Sequence, residues 1–141
     1  MKLIKSVDMY RLFCLCLFCV SLKGYTQSHF SLDTLKAPLE YNDVYVQKVY
    51  TTKNQTSFVI WIKTKVKKHK HLTHTELIQV LDGAGKMTLG NESFDIKKGD
   101  FIVVPENTEH GVVVTSSEPL KVVSIQTPEF DGTDRIWVED Q

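Results

Sequence analysis

Beyond residue 41 this chain never sustains an apolar run for long. VYVQKVY, SFVIWIKTKV, ELIQVLD, FIVVP, GVVVT and LKVVSIQ are brief stretches rich in β-branched and aromatic residues, cut apart by TTKNQT, DGAG, KKGD and PENTEH. None repeats its apolar residues at three and four positions, the spacing a core-facing helix needs, so short strands joined by turns remain. The fold class is therefore all-β. A chain of 141 residues with 42% hydrophobic content suits one domain with a core of its own. It carries no internal repeat and no low-complexity segment.

The N-terminus has a different character. Lys2, Lys5 and Arg11 precede an apolar run from Leu12 to Leu22, followed by small or polar residues, which is the layout of a secretory signal peptide. The run is much shorter than the roughly 20 residues a membrane-spanning helix requires, so no stable membrane span is expected after cleavage near Thr26 or Ser28. An uncleaved anchor or a buried helix is the competing interpretation. Cys14, Cys16 and Cys19 all lie in this segment, so the mature chain would hold no disulfide and no thiolate, and any metal would be held by imidazole and carboxylate. Removing residues 1–26 takes away four basic side chains against the single acid Asp8, leaving a mildly acidic body that is a poor partner for nucleic acid. The expected location is the periplasm or the exterior.

Residues 27–40 form a polar lead-in, in which His29 stands alone as an exposed bystander. From Val44 the simplest reading is a strand, the turn TTKNQT and a second strand, SFVIWIKTKV, apolar on both faces and so covered on both. Lys63, Lys65, Lys67, Lys68 and Lys70 follow without the aromatic ladder of a nucleic-acid patch, and read as a solvated strand edge. An unbroken strand would aim Lys63, Lys65 and Lys67 into the same cavity as His69 and His71. A bulge or loop before His69 would send them outward, and this is the reading preferred here.

The chemistry starts at His69. Residues i and i+2 of an extended chain point the same way, so His69 and His71 present two imidazoles from one strand end. Glu76 opens ELIQVLD on the face it shares with Ile78 and Val80. Gly83 and Gly85 are expected to make a turn at DGAG, and Pro105 ends FIVVP. The chain then returns so that His110 heads GVVVT, sharing a face with Val112 and Val114. Antiparallel closure could bring His110 opposite the earlier pair, giving three nitrogens and one oxygen for a divalent ion. His74, in the loop, could replace a ligand, orient one from behind, touch substrate, or do none of these.

The pattern resembles the cupin superfamily, small jelly-roll barrels with two histidine motifs. His69, His71, Glu76 and Gly83 match the first motif. Gly99, Pro105 and His110 match the second, with Asn107 where the family has a second Gly. Asn tolerates the left-handed backbone such a turn uses. Val114 stands where the family carries a trailing Asn. The resemblance covers roughly residues 41–126. It implies a double-stranded jelly-roll β-barrel, a metal site of His69, His71, Glu76 and His110, and one divalent transition metal ion such as Mn, Fe, Ni, Cu or Zn.

Residues 127–141 then form a turn at Pro128 and Asp131-Gly132 and an edge strand, RIWV, laid on its own barrel or across a second copy, since compact members commonly form homodimers. For function, the resemblance implies a metal-dependent enzyme acting on a small polar molecule, of dioxygenase, isomerase, decarboxylase or lyase type, with no general base assignable. The alternative is a non-catalytic protein that captures a sugar, an organic acid or the metal itself.

Overall fold

In the computed structural model, which describes residues 29–138, the passage from the second strand to the third is set by one acid. Asp43 accepts from the Thr64 amide at 2.6 Å, the Thr64 hydroxyl at 2.6 Å and the Lys65 amide at 3.3 Å. Those bonds break SFVIWIKTKV in two. Strand β2, Gln55–Ile62, ends before the Lys63–Thr64 bend, and β3, Lys65–Lys70, begins after it in the opposite sheet. The single long strand expected from sequence is thus two strands, because a carboxylate captures the amides that would have continued the ladder.

The remaining strands follow the turn signals. They are β1 (Val44–Thr52), β4 (Thr75–Asp82), β5 (Ala84–Leu89), β6 (Glu92–Lys97), β7 (Phe101–Val104), β8 (His110–Val114), β9 (Leu120–Thr127) and β10 (Ile136–Trp137). Two five-stranded antiparallel sheets result, ordered β1-β2-β9-β4-β7 and β10-β3-β8-β5-β6. This is the double-stranded jelly roll. Leu32–Thr34, in a separate unit ahead of Lys36, is a 3-10 turn with Ser31 as its N-cap.

Alternation supplies the core. Ile78 and Val80 from β4, Val104 from β7 and Val122 from β9 in one sheet meet Met87, Ile96 and Val112 of the other. Strand β2 is buried on both faces, as its apolar pattern requires. Phe58 stands edge-on to Phe130 at 6.2 Å between ring centroids, while Trp61 lies 5.6 Å from the Tyr45 ring.

DGAG is not a hairpin. Gly83 alone joins β4 to β5 and carries the chain from one sheet to the other at φ 78°, and Gly85 already lies inside β5, paired with Ile96 and Val114. Both positions must be small. A Cβ on Gly83 would stand 2.9 Å from Leu120 Cα and Pro119 O, and one on Gly85 2.9 Å from Val112 Cγ2.

Candidate metal centre

Strand β3 reaches the site through an irregular step. Lys65 pairs with Val113 and Val66 with Val112, but His69 pairs with His110, so one extra residue is accommodated between Val66 and His69. The shift turns Val66 toward the core and leaves Lys63, Lys65 and Lys67 exposed. Lys65 and Lys67, although exposed, still line the cavity, so the step does not turn them fully away from it.

His69, His71, Glu76 and His110 converge. One ligand atom from each lies within 4.8 Å of all the others, and all four residues are buried. Backbone carbonyls aim the imidazoles: His69 Nδ1 donates to Lys67 O at 2.9 Å, His71 Nδ1 to Asp134 O at 2.8 Å and His110 Nδ1 to Thr108 O at 3.0 Å. A carbonyl only accepts, so each Nδ1 carries the proton and each Nε2 faces inward. The turn before His110 is braced from the first motif, with the Asn107 amide on His71 O at 2.5 Å and Asn107 at φ 54°.

Glu76 is held from behind by β9. Its Oε1 accepts from the Ser124 hydroxyl and, at 3.4 Å, from Gln126 Nε2. Its Oε2 faces His110 Nε2 at 3.0 Å and His71 Nε2 at 3.9 Å. Burial would raise the Glu76 carboxyl, but the hydrogen bond and charge of His110, with Ser124 and His71 behind, carry it below the usual range. Burial, reinforced by His110, pushes His69 down to about 4, and burial lowers His71 as well. His69 and His71 are therefore biased toward neutral donors and the Glu76 carboxyl toward its anion, the forms that bind metal.

The residues fit an ion. His71 Nε2 is buried and has no hydrogen-bond partner, a costly arrangement for an imidazole lone pair unless something positive meets it. His110 Nε2 lies 3.0 Å from Glu76 Oε2, and a cation between them would take the place of that direct contact.

His74 is not in the cluster. Its Nδ1 donates to Asp134 Oδ2 at 2.5 Å and its Nε2 to Glu129 O at 2.9 Å. Burial works against its charge, but the Glu129 carbonyl and the Asp134 carboxylate outweigh it and raise the pKa. The Asp134 carboxylate also accepts from the Leu72 and Thr73 amides and the Thr73 hydroxyl, each at 3.0 Å. Burial would raise Asp134, but these bonds and His74 hold it well below the ordinary carboxylate range. The segment after β9 is thereby pinned across the loop that carries His71.

Four of these residues escaped the reading of the sequence. Ser124 and Gln126 had a signal: on LKVVSIQ they share parity with Leu120 and Val122, so two polar side chains stand at core-facing positions. Asp134 and Arg135 had none, since they lie in the irregular segment between β9 and β10, where no periodicity marks a side chain.

The sequence model of the family described as Cupin domain matches residues 57–126. An uncharacterised protein of Aquifex aeolicus (strain VF5) is 32% identical over 97 residues, covering 69% of this chain and 79% of that one. The chain is a cupin. An uncharacterised protein of Methanocaldococcus jannaschii is 37% identical to this cupin over 76 residues, 54% of this chain, and the match spans only 61% of that protein. Among solved structures, KdgF from Halomonas sp. superposes with a TM-score of 0.64 at 23% identity, over 75% of this chain and 97% of that one. Streptomyces PAC13, solved with uridine, gives 0.64 at 16% identity over 81% and 92%. These likenesses carry the cupin fold. Among the described residues no helix is long and apolar enough to cross a membrane.

The cluster opens onto a cavity of about 320 Å³ between the two sheets. His69, Glu76 and His110 stand at one end, Ile60, Ile62, Ile78, Met87 and Ile96 form walls, and Arg135 and Trp137 also face it. Such a chamber is of the size that small molecules occupy.

Proposed function

We propose that this cupin is a metal-dependent enzyme acting on a small polar molecule held in the cavity, with His69, His71, Glu76 and His110 holding one divalent transition metal ion. The observation that carries the reading is the shared tautomer: three imidazoles, each committed at Nδ1 to a carbonyl, turn three Nε2 atoms toward one carboxylate. Three nitrogens and one oxygen admit Mn, Fe, Ni, Cu or Zn. An ion so held supplies Lewis acidity toward a substrate oxygen. The protein's own part is to fix the ligands, exclude water with an apolar wall and present the substrate to the open side of the cluster.

One observation favours non-catalytic capture. Among the described residues lining the cavity the only carboxylate besides Glu76 is that of Asp43, which is committed to Thr64 and Lys65, so no free side-chain base faces the chamber. Turnover of candidate substrates decides between the two. An enzyme loses product formation in His71→Ala and keeps it in Lys48→Ala, whereas tight capture with no product from the wild type supports the binding protein. On the layout of residues 2–22 we further propose export, to be checked by N-terminal sequencing of the protein from its host.

A further inference from the structure

Arg135 is the unexplained charge of this cavity. It faces the chamber that Glu76, His69 and His110 also line, and its Nε is buried with no hydrogen-bond partner. No ion pair among the described residues includes it. Its guanidinium carbon lies over the Phe130 ring, 5.6 Å from the centroid, and over that of Trp137, also at 5.6 Å. Those contacts stabilise the cation. They do not satisfy the Nε donor.

A guanidinium does not shed its proton, so it cannot escape burial as a lysine can. The Nε donor is shut off from water and has no acceptor. A buried donor in that state is a deficit that a ligand can repair. The edge formed by Nε–H and one Nη–H matches two oxygens of a planar anion. The exposed Lys65 and Lys67 on the rim add a field that draws such an anion in.

We propose that Arg135 is the anchor for a substrate carboxylate, bound side-on, so that the molecule taken by this cavity is a small organic acid whose carbon body lies against Ile60, Ile62 and Met87. The inference rests on the reading of the cavity as the substrate chamber and narrows it to one chemical class. A carboxylate fits better than a phosphate because the site offers one cation edge, and the chamber already contains the Glu76 carboxylate.

Calorimetric titration of the purified protein with acetate, 2-methylpropanoate and benzoate, each against its neutral amide, tests this, with methyl phosphate as a further probe. The wild type should bind the best carboxylate about tenfold or more tightly than the amide of the same shape, the worth of one charge-assisted contact. Arg135→Met should lose that preference, and Arg135→Lys should keep only part of it, holding the charge without the fork. Lys48→Met, at an exposed position outside the cavity lining, should retain it. A preference that survives Arg135→Met overturns the proposal, as does one lost equally in Lys48→Met. So does a wild type that binds no carboxylate or binds methyl phosphate best. Should Arg135→Met fail to fold, an Arg135→Lys variant indistinguishable from wild type overturns it. Metal content measured on the same samples separates the two readings: carboxylate preference without metal defeats the metal assignment alone, and metal without preference defeats this one alone.

Discussion

The backbone carbonyl of Asp134 accepts from His71 Nδ1 at 2.8 Å, while the carboxylate of the same residue pins the Leu72–His74 loop. One residue from the far end of the chain thus sets the tautomer of an inward-facing imidazole and the path of the loop that carries it. Orienting bonds of this kind matter to a metal site nearly as much as the ligands do.

Asp134→Ala removes the acceptor for two amides, a hydroxyl and a charged imidazole. It should lower stability by about 2–4 kcal/mol in urea denaturation and weaken metal affinity by about 10- to 100-fold in chelator competition. Asp134→Asn, which keeps an acceptor for the loop but not the charge, should fall between. An Asp134→Ala protein as stable and as metal-avid as wild type would show that the tail is dispensable.

Ser124→Ala isolates the support behind Glu76. The hydroxyl bonds Oε1, on the side away from the histidines. Its removal should cost about 1 kcal/mol of stability and about tenfold or more in metal affinity. The two effects come from separate measurements, thermal unfolding and chelator competition, and only the second reads the site.

The pH response has opposite signs in neighbouring rings. His74 is raised above its ordinary 6.5, so its contribution to stability is full below 6.5 and is lost as pH rises through the raised value. His69 is lowered to about 4, so its contribution is full above 6.5 and is lost as pH falls from 6.5 toward 4. In metal-free protein, melts against pH should show wild type losing stability above pH 6.5 relative to His74→Gln. Parallel curves would remove the charged His74 from the account.

Gly83→Ala and Gly85→Ala test the sheet crossing. The first forces a side chain onto φ 78° and 2.9 Å from Leu120 Cα, and the second puts a methyl group 2.9 Å from Val112 Cγ2. Gly83→Ala should cost about 2 kcal/mol or more, and Gly85→Ala about 1–3 kcal/mol, in chemical denaturation.

What the sequence reveals depends on how local each cause is. Alternation in ELIQVLD and GVVVT is enough to place Glu76 and His110 on core-facing positions, and the left-handed tolerance of Asn accounts for Asn107 at φ 54°. Parity alone would aim Lys63, Lys65 and Lys67 inward, and the irregular step before His69, preferred from the sequence as a bulge or loop, is what breaks that alternation. The break at Lys63–Thr64 does not, because its cause is Asp43, on the far side of β1 and β2. DGAG has the composition of a hairpin turn, yet only tertiary pairing of Gly85 with Ile96 and Val114 shows it to be a sheet crossing. Asp134 acts on partners some 60 residues away, and no local pattern encodes such a contact.

Metal content decides the central claim. Elemental analysis of untagged protein purified from its native host should find about one equivalent of a divalent transition metal, and a His69→Ala/His110→Ala double variant prepared identically should hold almost none. Equal content in the two proteins, or none in either, would contradict the assignment of these four residues as a metal centre.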